Sequence, residues 1–287
     1  MKPYFNKITI LGVGLIGASF AMAMKKHGLC RHVAGYGRKK ANLIRAKQRG
    51  IIDSYSLDPE EACKDADLVV LATPPSLFIT LIKKIKPALK KGSIVIDVGS
   101  VKGFISKLEA LMPEGVSFVG CHPIAGSDRS GIDMARGDLF KNAPLIITKT
   151  NKTNNYTLKK IKALWRSIGS RLIIMGPSEH DRVYALISHM PHLIAYALVN
   201  TVADIDKSSL KFSGQGFKDT TRIAGSPPEL WADILMLNRG NVLKFTDAFK
   251  NSINRLSSCL KKGDRDSLMK KLLKAQKLRE ILKNEKG

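Results

Sequence analysis

Acidic residues are scarce in this chain: 24 Asp and Glu stand against 48 Lys and Arg, a formal net charge of +24. Such a surplus suits a binder of phosphates, polycarboxylates or nucleic acid. Here the basic residues run evenly along the chain (Lys83, Lys84, Lys86, Lys90, Lys91, then Lys261 to Lys286), without interleaved aromatics or a nucleic-acid motif. Nucleic acid is therefore not the expected partner; a field of this sign still draws in small anions. Cysteine is sparse as well. Cys30, Cys63, Cys121 and Cys259 are scattered with no metal-type spacing, which excludes a zinc module and a disulfide scaffold and fits reduced thiols in a cytoplasmic protein. No metal site is expected. Long hydrophobic runs are missing too: Leu68–Ala72 and Ile94–Val98 have strand length, too short for a bilayer. The first residues lack the basic head, apolar middle and small-residue cleavage site of a secretion signal. A disordered or fibrous class is excluded, since 44% of the 287 residues are apolar and can build real cores.

What the chain has is alternation. Short β-rich runs (7–11, 33–36, 68–72, 94–98, 117–120, 144–148, 171–175) are separated by helical patterns at 14–27, 39–48, 78–89 and 158–168. This predicts an α/β fold of the Rossmann type, a doubly wound, mostly parallel sheet with helices on both faces, over residues 1–176. Gly176-Pro177-Ser178 breaks the pattern, and no convincing strand follows. Residues 181–202 form a long apolar helical pattern interrupted by Pro191. Ser226-Pro227-Pro228-Glu229 reads as a capped helix start, with Ser226 and Glu229 placed for a capping box. Leu268, Leu272, Ala275, Leu278 and Leu282 repeat at helical spacing. Residues 177–287 are thus expected to form an all-α domain. Its apolar stripes exceed what one small bundle buries, which points to a homodimer.

The first strand runs into Gly12-Val13-Gly14-Leu15-Ile16-Gly17 and then into a helix. A G-x-G-x-x-G turn in that context is a dinucleotide site. Gly12 permits the tight turn, Gly14 admits the pyrophosphate, Gly17 lets helix and strand pack, and the phosphates rest on the helix N-terminus beside Leu15 and Ile16. Thr73, past the end of the 68–72 strand, is assigned to the same site. The second strand ends at Tyr36-Gly37, where an acid would bind the ribose 2′-hydroxyl of NAD. Gly37 and Arg38 stand there instead. The physics leans to NADP, with Arg38 clamping a 2′-phosphate; NAD remains the alternative, with Arg38 stacked on adenine.

Two further strands end in Gly99-Ser100-Val101-Lys102-Gly103 and Cys121-His122-Pro123-Ile124-Ala125-Gly126-Ser127. Strand C-termini line the crevice of a doubly wound sheet, so Ser100 and His122 are expected to face each other as the catalytic pair.

At this point the sequence resembles a known family. GVGLIG, DVGSVKG (Asp97–Gly103), HPIAGSDRSG (His122–Gly131), SHMPH (Ser188–His192) and GFKDTTRIAGSPPELW (Gly216–Trp231) are similar, in this order and over essentially the whole chain, to the motif series of prephenate/arogenate dehydrogenases. The resemblance implies an NAD(P)-dependent oxidative decarboxylation of prephenate to 4-hydroxyphenylpyruvate, in tyrosine biosynthesis. It implies that His122 accepts the hydrogen bond of the ring hydroxyl, that Ser100 orients the same hydroxyl, and that Arg222 binds the ring carboxylate. Asp219, three residues before Arg222, is expected to orient it. His192 matches the position near the substrate side chain. A histidine there, where an acid would welcome the ammonium of arogenate, favours prephenate. Ser127 matches a family Thr or Ser that meets substrate, and Asp128 a family Glu. His189 is open between a structural and a functional role, His180 and Asp181 read mainly as helix capping, and Trp231 as a packing residue.

Arogenate dehydrogenase is the alternative activity. More remotely, a β-hydroxyacid dehydrogenase also joins a Rossmann domain to a helical one. It would be expected to carry a catalytic lysine on the helix that follows, and residues 183–202 contain none. With Gly287 close behind the last helix, tyrosine feedback is expected to act by competition in the active site.

Overall fold

The computed structural model describes residues 4–126 and 131–284. Eight strands form one sheet: β1 (Phe5–Leu11), β2 (Cys30–Tyr36), β3 (Ser54–Ser56), β4 (Leu68–Leu71), β5 (Ile94–Asp97), β6 (Ser117–Pro123), β7 (Pro144–Thr148) and β8 (Arg171–Met175). Their order is β3-β2-β1-β4-β5-β6-β7-β8, and every pairing is parallel except β6 with β7. The chain winds outward from β1 in both directions, so the crevice between the β1 and β4 ends is the topological switch point. β4 and β5 are buried along their whole length, because helices cover both faces of a parallel sheet.

One face carries α1 (Leu15–Lys26), α2 (Lys40–Gln48) and α6 (Asn155–Ser167), whose core includes Phe20, Leu43 and Trp165. The other carries α3 (Pro59–Cys63), α4 (Phe78–Ile85) and α5 (Ile105–Ala110), built around Phe78, Ile82 and Leu108. The strand β3 is absent from the sequence reading: its three residues, Ser-Tyr-Ser, are all half-buried at the sheet edge and give no apolar run. The helix expected over 78–89 ends at Ile85 and tightens into a 3-10 turn, Lys86–Ala88, around Pro87.

After Met175 the described residues are helical: α7 (Pro177–Tyr184), a π-helical turn (Ala185–His189), α8 (Met190–Asp206), α9 (Gln215–Thr221), α10 (Pro228–Leu237), α11 (Arg239–Lys261) and α12 (Arg265–Asn284). Pro191 falls in the first turn of α8, where its missing N–H costs little. The expected capping box at Ser226 does not form: Pro227 is the N-cap of α10 and makes no side-chain cap, and the Ser226 carbonyl accepts from the Tyr196 hydroxyl at 2.7 Å. Two prolines at the helix start leave fewer amides to cap, which removes the need for the box. The continuous helical run Pro177–Phe212, of 36 residues and mean hydropathy 1.2, is long and apolar enough to cross a membrane by length and composition; the polar breaks in the sequence hide this. Its buried His180, Asp181 and His189 mark it as a helix that packs on protein.

The chain divides into two compact units, one ending at Arg239 and the next beginning at Gly240. Helices α7–α10 belong with the sheet, since Trp231 and Ile234 of α10 form a core with Val101. The second unit is a helical hairpin: Gly263 makes its turn at φ +64°, and Asp264 accepts from the Ser267 amide to cap α12.

Candidate active site

The turn from β1 into α1 fits a dinucleotide. Gly12 has φ +104°, and a Cβ there would meet the Ala72 carbonyl at 2.6 Å, so only glycine closes this turn against β4. A Cβ at Gly17 would lie 2.2 Å from the Gly12 carbonyl oxygen, whereas one at Gly14 would meet nothing within 4 Å. The first and last glycines therefore serve packing, and the middle one keeps open the space in front of the helix. Gly14 is the N-cap of α1 and supplies no side-chain cap, which leaves the first amides, Leu15 and Ile16 among them, for an anion. The adjoining cavity, about 330 Å³, is lined by Gly12, Gly14, Tyr36, Gly37, Arg38, Lys39, Asn42 and Thr73. Arg38 and Thr73 are where the sequence reading put them. The side chain of Leu15 packs on the sheet core, while Ile16 turns to a second cavity.

That second cavity, about 590 Å³, brings together Ser100, His122, His192 and Arg222 with Ile16, Tyr184 and Trp231. Ser100 sits just past β5, and His122 is the penultimate residue of β6, so neighbouring parallel strands deliver both to one end of the sheet. The β5 exit is held by a buried ion pair. Lys102 Nζ lies 2.5 Å from Asp97 Oδ2 and donates to the Gly99 carbonyl at 2.7 Å, closing the loop that carries Ser100. Burial pushes the Asp97 carboxyl up, against the pull of Lys102 and of the Gly99 and Cys121 amides.

His122 is wired from behind. Its Nδ1 lies 2.8 Å from His180 Nε2, and His180 Nδ1 lies 2.8 Å from Asp181 Oδ1. Asp181 also accepts from the Lys102 and Gly103 amides, both at 2.7 Å. A carboxylate only accepts, so His180 carries its proton on Nδ1 and offers a lone pair at Nε2. His122 must then carry its proton on Nδ1, which leaves the Nε2 lone pair as the acceptor at its other edge. Tyr184 stacks edge-on against His122, with centroids 4.9 Å apart, and fixes the ring. Burial lowers the proton affinity of His122 well below that of a free imidazole, helped by His180 and the Lys102 charge; burial also lowers His180, although Asp181 opposes it. The site is built around a neutral imidazole with a defined acceptor atom.

His180 and Asp181 were read as capping residues. In the structure α7 has Gly176 as its N-cap, and both side chains turn instead to the sheet. The one sequence signal for this, a His-Asp pair heading the first helix after the sheet, is indistinguishable from a helix start. His192 donates from Nδ1 to the Ser188 carbonyl at 2.8 Å and stacks on Trp231 at 3.4 Å between centroids. Trp231 thus packs, as expected, and also walls the cavity. His189 and His192 do not point together: the π-helical turn rotates His189 into the interior, where it is fully buried. Asp219 is exposed and accepts from Gln215 one turn back, at 2.7 Å. Helix α9 ends at Thr221, and Arg222 opens a 3-10 turn, which takes the two residues off the shared face the sequence predicts. Ser127 and Asp128 lie outside the described residues.

A dinucleotide turn, a neutral histidine acceptor and an arginine on one cavity define an oxidoreductase that dehydrogenates a small anionic substrate. Residues 20–174 match the family model of the prephenate dehydrogenase nucleotide-binding domain, and residues 176–284 that of the prephenate dehydrogenase dimerization domain. The chain belongs to the prephenate dehydrogenase family. It is 35% identical to the cyclohexadienyl dehydrogenase of Zymomonas mobilis, over 98% of this chain and 97% of that one, and 31% identical to the prephenate dehydrogenase of Bacillus subtilis, over 98% and 77%. The crystal structure of prephenate dehydrogenase from A. aeolicus, in complex with hydroxyphenyl propionate and NAD+, superposes with a TM-score of 0.91 at 33% identity, covering 96% of this chain and 98% of that one.

Proposed function

We propose that the protein is a prephenate dehydrogenase that converts prephenate to 4-hydroxyphenylpyruvate and carbon dioxide with NADP as its coenzyme. The observation that carries this reading is the Asp181–His180–His122 relay, which presents a neutral acceptor beside Ser100 and Arg222. The dinucleotide supplies a nicotinamide ring that takes up the hydride. His122 Nε2 accepts the proton of the ring hydroxyl as that carbon becomes a carbonyl, and Ser100 orients the hydroxyl. Arg222 holds the ring carboxylate in a two-point fork. When the carboxylate leaves as carbon dioxide, its bonding pair enters the ring, and the phenolate formed takes the proton back from His122. The proton count closes within the site, and aromatisation supplies the driving force, so the residues chiefly position and hold charge.

His192, set over Trp231, faces the substrate side chain, and Ser127 belongs to the loop on the other side. Support for NADP is the cavity wall at the end of β2, where Gly37, Arg38 and Lys39 stand and no carboxylate lines the cavity. A cytoplasmic homodimer completes the reading. Leu186, Ile187, Ile205, Met236 and Leu237 are exposed apolar residues of the helical region, more than a lone subunit leaves wet, and the matching family model is named for dimerization.

The test is nicotinamide reduction by purified protein with prephenate or arogenate, each with NAD or NADP. Turnover of prephenate with preference for NADP is expected. Turnover of arogenate alone would overturn the reading of His192, and preference for NAD that of Arg38.

A further inference from the structure

Asn238 follows α10 and is buried at 4% exposure. Its amide nitrogen Nδ2 lies 2.8 Å from the Asp181 carbonyl oxygen and 3.1 Å from His189 Nδ1. The first contact fixes which end of the amide is nitrogen, because a carbonyl can only accept. The second then makes His189 Nδ1 an acceptor and places the imidazole proton on Nε2. His189 is fully buried, is held edge-on by Trp231 at 6.1 Å between centroids, and has its proton affinity lowered by burial to a pKa of about 4. It is a neutral ring with a known donor. That donor makes no hydrogen bond of full geometry among the described residues, yet the Ser100 backbone lies close enough to favour the protonated ring. A buried N–H left without a partner costs about 1–3 kcal/mol, so a chain keeps one only where something offsets it. Catalytic hydrogen bonds that are long in the free enzyme commonly tighten in the ternary complex.

We propose that Asn238 and His189 are a positioning pair for Ser100: the Asn238 amide locks His189 in its Nε2–H tautomer, and that N–H holds the Ser100 carbonyl so that the Ser100 hydroxyl meets the substrate. This rests on the prephenate reading. The pair is separate from the relay behind His122, although Asp181 anchors both: its carboxylate binds His180 and its carbonyl binds Asn238. One residue at the head of α7 thereby sets the tautomers of two histidines in opposite senses, Nδ1–H on His122 and Nε2–H on His189.

The experiment combines a substitution series with a direct reading of the tautomer. His189→Leu removes the donor; His189→Gln restores an amide N–H near the Nε2 position. With prephenate, His189→Leu is expected to lower kcat on the order of tenfold or more, to leave KM for the dinucleotide unchanged, and to be largely rescued by His189→Gln. In a Ser100→Ala background the same His189→Leu change is expected to cost under about twofold, since the residues act as a unit. Full activity of His189→Leu, or an undiminished cost in the Ser100→Ala background, would overturn the proposal. Nitrogen-15 NMR of the full-length protein labelled at histidine, with His189 assigned through His189→Gln, reads the tautomer without altering the wild-type fold. The Nε2–H form is expected, and the Nδ1–H form would overturn the proposal. Absence of prephenate turnover in the wild type would sink the functional reading alone, because the NMR result stands without substrate.

Discussion

His122 and His180 meet nitrogen to nitrogen, at 2.8 Å, inside the protein. Two neutral imidazoles can share that contact only if one donates and the other accepts, and the Asp181 carboxylate decides which. Substituting Asp181→Asn tests this directly. An amide that turned its nitrogen to His180 would force the proton of His180 onto Nε2 and that of His122 onto its cavity-side nitrogen. The acceptor for the substrate hydroxyl would be gone. We expect kcat with prephenate to fall on the order of hundredfold or more. His180→Ala, which frees His122 to adopt either tautomer, should fall less. Equal activity of Asp181→Asn and wild type in steady-state assays would remove the relay from the mechanism.

The lowered proton affinities of His122, His180 and His189 fix the sign of two pH effects. For activity, His122 must be neutral, so the acid limb of kcat/KM should lie below the 6.5 of an ordinary histidine. For stability, the unfolded chain takes up protons near pH 6.5 while the folded chain does not. The native state is therefore fully favoured above pH 6.5 and loses stability as pH falls toward the folded values. His189, lowered to about 4, accounts for roughly 3 kcal/mol of that loss. Urea titrations at several pH values check the slope; stability that rose on acidification through this window would contradict the burial of neutral histidines.

Much of the architecture was legible because it rests on period and punctuation. Runs such as Ile94–Asp97 are apolar on both faces and could only be central strands, and the glycines at 12, 14 and 17 mark a turn whose steric demands are local. Ser100 and His122 were legible for a topological reason: strand ends at a switch point converge. The relay was not. Asp181 acts on the amides of residues 102 and 103, far away in the chain, and no periodicity records such a contact. Asn238 escaped notice for the same reason, as a polar residue at a helix end that happens to face inward. Asp219 went astray on a smaller point, since helix spacing says nothing about where α9 tightens into a 3-10 turn.

Coenzyme choice should turn on the end of β2. Arg38→Ala removes a charge-assisted partner for a 2′-phosphate, which is worth about 1.5–3 kcal/mol, so KM for NADP should rise roughly tenfold to hundredfold while KM for NAD stays within about twofold. Gly37→Asp is the complementary change. A Cβ at Gly37 would meet Leu43 no closer than 3.4 Å, ordinary contact, so the acid fits without distortion. It should favour NAD by binding the ribose hydroxyls and repel NADP. If both variants leave the NADP-to-NAD ratio of kcat/KM unchanged, the adenosine end is read elsewhere.

Lys102 joins stability to the acid limb. Its ammonium and the Asp97 carboxylate are both out of solvent, and breaking a buried pair from one side strands a charge at a cost of about 3–5 kcal/mol. Lys102→Met should therefore lower the denaturation midpoint sharply, and Lys102→Met combined with Asp97→Leu should recover part of the loss. The same charge disfavours protonation of His122 and His180. With it removed, both imidazoles hold a proton to higher pH, and the acid limb of kcat/KM in the double variant should move upward. A merely structural ion pair would change the midpoint and leave the limb in place, so the pH profile of the folded double variant separates the two roles.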